Sequence, residues 1–174
     1  MVITLNQAPN ERQLALIREQ IGREPRGIDA VTAEDGQGTP LVLRMHSLVD
    51  SAPFPTLYWL CSERLKVALS HLEAAGVIKQ LEAILAQDPS FMAQYQRSHE
   101  DYVAQRWRFM PDGIKTEIVR RGYDTLLRAR GIGGIANWAQ VRCLHTHYAH
   151  HLCGDNAIGR WIDERYPQVA ACLP

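Results

Sequence analysis

The sequence predicts an α+β protein, predominantly α-helical, with a small antiparallel β-sheet in the N-terminal third. Three observations carry that reading. Short apolar runs separated by turn formers are confined to residues 28–60. From residue 62 onward the apolar residues recur at helical spacing between recognisable caps. The 174 residues, 46% apolar and 22% charged, suit one domain, 1–174, with volume for a real core.

The elements follow in order. Asn10 is an N-cap for a helix through Leu14, Ile17 and Ile21, ended by Gly22. Arg23-Glu-Pro-Arg-Gly27 forms a stiff turn. Residues 28–31, 41–45 and 56–60 read as strands, the first two joined by the turn-rich Glu34-Asp-Gly-Gln-Gly-Thr-Pro40. Ser62 caps a helix carrying Leu65, Leu69 and Leu72, closed by Gly76. A second helix spans 77–87. Asp88-Pro89 opens a longer one through Tyr95, Tyr102 and Phe109, with proline in the first turn where its missing N–H costs nothing. Pro111-Asp112 begins a helix expected to reach Arg130. A glycine turn, Gly131-Ile-Gly-Gly134, precedes a helix expected over 138–152, and a last one covers about 157–165.

Lysine plus arginine equals aspartate plus glutamate, so the formal net charge is zero. That counts against a nucleic-acid binder, which carries a basic excess. The N-terminus has no basic and apolar leader, and no apolar run approaches the ~18 residues of a membrane span. The expected location is the cytoplasm, where cysteines are free thiols, ligands or reactive groups more often than disulfides.

Chemistry concentrates in Val141-Arg-Cys-Leu-His-Thr-His-Tyr-Ala-His-His-Leu-Cys153. It holds two of the four cysteines and four of the seven histidines. Thiolate and neutral imidazole bind zinc and iron, and both move protons near neutral pH. On a continuous helix with Cys143 at zero, His147 falls at about 40° and His150 at about −20°. These three then share a face, and His145 points elsewhere. Cys143, His147 and His150 are the expected metal ligands, with Cys61, His46 or His99 as a fourth from another element. Alternatively the histidines form a solvated polar face and Cys143 is a small buried hydrophobe. His145, at the border of the apolar face, suits a satisfied core residue or a general base.

Three features point to an anionic small-molecule partner. Gly133 and Gly134 free the backbone to offer N–H groups at a helix start, although a simple interhelical turn has the same signature. Arg23 and Arg26 lie beside the expected sheet, and Arg142 beside Cys143; guanidinium binds carboxylate and phosphate in a bidentate fork.

At these residues the chain resembles the bacterial family of unknown function DUF501. Gln20-Ile-Gly-Arg-Glu-Pro-Arg-Gly27, Phe54-Pro-Thr-Leu-Tyr-Trp-Leu60 and Leu72-Glu-Ala-Ala-Gly76 are similar to its segments. So are His99-Glu100 with Tyr102, Gly133-Gly134, Val141-Arg-Cys-Leu-His145, Ala149-His150, Asn156 and Gly159. The resemblance implies no activity. It gives weight to Cys143, His145, His150 and Asn156 and less to His147 and His151, where members commonly carry other residues. Members often have Cys or His at the position of Ser62. The expectation is therefore an enzyme in which Cys143, His145 and His150 are the catalytic groups, with zinc or iron where metal is used, and Arg23, Arg26, Arg142, Gly133, Gly134 and Asn156 hold the anion. A non-catalytic binding or regulatory module with a structural Cys/His cluster is the alternative.

Overall fold

The computed structural model describes residues 1–173. Its strands are β1 (Val2–Gln7), β2 (Ile28–Asp35), β3 (Pro40–Met45), β4 (Leu48–Val49), β5 (Ala52–Pro53) and β6 (Tyr58–Leu60). Its helices are α1 (Glu11–Ile21), α2 (Glu63–Ala74), α3 (Val77–Gln87), α4 (Pro89–Phe109), α5 (Asp112–Arg120), α6 (Asp124–Ala129), α7 (Leu144–His151), α8 (Ala157–Arg165) and α9 (Pro167–Ala170). The architecture is α+β, as the sequence predicts.

The main sheet is antiparallel, in the order β1-β2-β3-β6, with β4-β5 a separate hairpin. Strand alternation sends successive side chains to opposite faces. Val42, Tyr58 and Leu60 join the large core formed with α2, α3, α4, α7 and α8. Leu43, Met45 and Val31 pack with Ile17 of α1 and partly buried Trp59 on the other face. The sheet thus lies between α1 and a helical layer. β1 has no counterpart among the expected strands. It is an edge strand with mostly exposed residues, so its sequence lacks a buried face to announce it.

Local chemistry sets the helix ends. Asn10 and Gln13 form a reciprocal capping box on α1. Asp88 accepts N–H bonds from Ser90 and Phe91 at 2.9 and 3.0 Å. The single helix expected from Pro111 to Arg130 is two. Gly122 sits at φ 70 between α5 and α6, a left-handed conformation that ends a helix.

The Cys/His helix also starts later than expected, at Leu144 instead of Trp138. Cys143 is its N-cap, in extended backbone with φ −155 and ψ 125. One buried cation braces the layer beneath. Arg106 of α4 is 1% exposed and donates to the carbonyls of Leu127, Arg130 and Pro55. It ties α4 to α6 and to the segment entering β6.

Candidate functional site

Glu73 stands in the last turn of α2, which packs against α7. Its Oε1 accepts the Leu144 N–H at 2.7 Å, capping α7 where the Cys143 side chain makes no capping bond. The same oxygen lies 3.1 Å from His145 Nδ1. Cys143 Sγ lies 3.4 Å from that same nitrogen. The opposite ring nitrogen, Nε2, is 3.1 Å from the Lys66 carbonyl and 3.3 Å from Ser70 Oγ. A carbonyl is an obligatory acceptor, so Nε2 carries a proton. The hydrogen bond with the Cys143 sulfur, that sulfur's charge and the Glu73 carboxylate outweigh desolvation and push the His145 pKa up to about 9.

Among the described residues, Glu73, Cys143 and His145 form a group whose donor atoms lie within 4.8 Å of one another and could hold a metal ion. Cys143 and His145 also line a cleft of about 260 Å³ with Phe54, Thr56, Trp59 and Lys66 among its walls. Trp59 and Phe54 stack with centroids 6.4 Å apart, and their other side faces a second cavity lined by Arg23 and Arg26. Arg23 lies 5.1 Å over the Trp59 ring, and Arg26 is paired with Asp50 at 3.1 Å.

The structure separates residues that helical counting puts together. His147 and His150 do not join Cys143; they are buried around Asn156, whose amide nitrogen lies 3.4 Å from His147 Nδ1 and 3.2 Å from His150 Nδ1. The physical reason is the late helix start. Cys143 precedes the helix, so 100° per residue does not apply to it. An amide N–H₂ only donates, so both Nδ1 atoms are acceptors and both Nε2 atoms carry protons. His147 Nε2 then faces the Tyr95 hydroxyl at 3.5 Å and His150 Nε2 donates to Asp101 Oδ2 at 3.1 Å. Burial, together with the neighbouring imidazoles of His99 and His150, holds His147 well below its ordinary pKa.

Other expected participants are placed elsewhere. Cys61 is sealed on the α1 side of the sheet, its thiol 3.2 Å from the Pro40 carbonyl and pushed up to about 12 by burial. It is not a fourth ligand. His99 accepts the Ile132 N–H at 3.0 Å, and His46 sits 3.8 Å from Asp29. The glycine turn is not an anion cradle. The N–H groups of Gly131 and Gly134 bond to the carbonyls of Ile135 and Gly131, and that of Ile132 to His99. Gly133 packs beneath Thr146 and Arg142. Asn156 cannot bind an anion because its oxygen caps α8 through the Gly159 N–H at 3.0 Å and its nitrogen serves the two histidines. Arg142 lines an open cavity with Arg130 and Glu82, apart from Arg23 and Arg26. Glu73 is the functional residue that periodicity alone does not single out. Its one signal in the sequence is the Leu72-Glu-Ala-Ala-Gly76 segment.

The fold and this group define an α+β protein with a Glu/Cys/His cluster at the N-terminus of a short helix, open to an aromatic cleft. The model of the family described as "Protein of unknown function (DUF501)" matches residues 31–164, and the chain belongs to that family. No curated protein and no solved structure matches the chain. Among the described residues no helix is long and apolar enough to cross a membrane.

Proposed function

We propose that this protein is a metal-dependent enzyme acting on a small molecule, with Glu73, Cys143 and His145 as the metal ligands. One observation carries the reading: a thiol and a carboxylate converge on the same imidazole nitrogen, while the other nitrogen is anchored on a backbone carbonyl. A catalytic relay places its nucleophile and its carboxylate on opposite nitrogens of the ring. Convergence on one nitrogen, with the second N–H oriented by a carbonyl, is the pattern of a metal-ligating histidine and its supporting hydrogen bond.

The spacing fits. Zinc bonds of about 2.3 Å to sulfur and about 2.0 Å to nitrogen or oxygen set tetrahedral ligands roughly 3.3–3.6 Å apart. The sulfur–nitrogen and nitrogen–oxygen separations are 3.4 and 3.1 Å. Thiolate with imidazole and carboxylate suits zinc or iron. Three protein ligands leave a position for water or substrate, which distinguishes catalytic from closed structural sites. That position would open on the cleft walled by Phe54 and Trp59, beside Lys66, whose ammonium is held by Glu63 at 3.0 Å and by the Gln20 carbonyl at 2.6 Å.

Elemental analysis of protein purified without a histidine tag tests the proposal, repeated on Cys143→Ser, His145→Ala and Glu73→Gln. The expected result is about one metal per chain in the parent and loss in all three variants, with the fold retained by circular dichroism. Metal-free parent protein, or variants that keep the metal, would overturn it. Metal-free protein whose Cys143 alkylates rapidly at neutral pH would instead transfer the function to thiol chemistry at the same residues.

A further inference from the structure

A second site lies on the helical side of the sheet, away from the Cys143 cleft. Its floor is Arg44 of β3, 6% exposed. Arg44 Nε donates to Asp29 Oδ2 at 2.6 Å, and its guanidinium stacks 4.2 Å over the Phe109 ring. Its terminal nitrogens, Nη1 and Nη2, have no hydrogen-bond partner among the described residues. The residue as a whole is buried, yet these two nitrogens are not among the sealed, unpaired atoms of the interior, so they remain open to solvent or a ligand. Arg44 lines a cavity of about 320 Å³.

Opposite charge faces the same space. Arg44 and Tyr58 are direct cross-strand partners, so their side chains lie side by side on one face. The Tyr58 hydroxyl donates to Gln105 Oε1 at 2.5 Å, and Gln105 Nε2 donates to Asp101 Oδ2 at 2.6 Å. His150 donates to that same oxygen. Both donors use Oδ2, and Asp101 Oδ1 is left without a partner among the described residues. Arg108 lines the cavity too, its guanidinium 5.4 Å over the Phe109 ring and with no ion pair among the described residues.

The cavity therefore offers a forked cation at its base, and at its exposed rim a second cation, Arg108, and the carboxylate of Asp101, oriented through Oδ2 by two donors with Oδ1 left over. A guanidinium edge binds carboxylate in bidentate fashion, and a positioned carboxylate takes ammonium. We infer that this cavity is a binding site for a small zwitterion of the α-amino-acid class, its carboxylate on Arg44 and Arg108 and its ammonium on Asp101. Leu5 and Phe109 give the side chain an apolar wall. The site stands independently of the metal proposal.

Calorimetric titration of the full chain with each proteinogenic L-amino acid tests the inference, alongside the deaminated acid and the decarboxylated amine of whichever binds best. The expected result is at least one amino acid with a Kd below about 1 mM, and both truncated analogues weaker by about tenfold or more. Asp101→Asn should weaken the amino acid about tenfold and leave the deaminated acid unchanged. Arg108→Gln, on the rim, should weaken both, and it keeps the test valid if Arg44→Gln fails to fold. Glu73→Gln should leave this binding intact. No heat with any amino acid up to ~10 mM, a deaminated acid that binds as tightly as its amino acid, or unchanged affinity in Asp101→Asn overturns the inference.

Discussion

Glu73 shows how one carboxylate can serve fold and site together. Its Oε1 caps α7 through Leu144 and also faces His145. The two roles separate by substitution. Glu73→Gln retains an oxygen that can accept the Leu144 N–H but lacks the charge, so metal content should fall while the melting temperature stays close to the parent. Glu73→Ala removes the cap as well and should cost about 1 kcal/mol by denaturant titration. Asn156 also does two jobs, both of them structural. Asn156→Asp keeps the oxygen that caps α8 and removes the N–H₂ that both buried imidazoles face. It should destabilise by about 2–4 kcal/mol because two buried acceptors lose their donor beside a new carboxylate. An Asp variant as stable as the parent would show that this network does not hold α7 and α8 in place.

Elements here are joined by contacts that no local pattern reveals. The α5–α6 break depends on Gly122, whose positive φ disfavours any side chain. Gly122→Ala should cost about 1 kcal/mol and move the two helices toward the continuous one that the sequence suggests. The close approach at Gly131 is of another kind. A Cβ there would collide with His99 and approach Trp138 Nε1, because α4 and the 3-10 turn at 132–134 touch through that backbone. Arg106 joins three segments through carbonyl oxygens. Arg106→Lys preserves the charge but not the planar fork. It should lower stability by about 3–5 kcal/mol, measured by thermal or urea unfolding, since a buried cation is left short of partners.

At the scale of the whole molecule, buried His99 adds a response to acid. His99 is fully buried among Tyr95, Trp138 and His147, and desolvation followed by the charge of nearby His150 lowers its pKa to about 4. An unfolded histidine titrates near 6.5. The folded value is the depressed one, so the unfolded chain binds the proton first. Stability is full above about pH 6.5 and falls as the pH drops toward 4, by roughly 3 kcal/mol for this residue alone. Urea titrations at pH 7 and pH 4 should show that loss, and His99→Gln should flatten it. An unchanged slope in the variant would place the acid sensitivity in other groups.

Much of this protein is written locally. Asn10, Ser62, Asp88 and Asn156 each accept the N–H bonds that start a helix, and Gly22, Gly76 and Gly122 end or separate helices in left-handed backbone. Caps and turns involve residues three or four apart, so the sequence alone places those at Asn10, Gly22, Ser62, Gly76 and Asp88, whereas the break at Gly122 and the cap at Asn156 emerge only in the structure. The sequence also singles out Cys143 and His145, through the motif that carries them. What partner they meet is a different question. Helical counting pairs Cys143 with His147 and His150, and it fails because the chain enters α7 only after Cys143. Glu73 reaches the site from 72 residues away and Lys66 from 79. Such contacts exist only once α2 packs against α7, because burial of apolar surface, which is non-directional, brings the helices together and the chain's length hides the pairing until it does.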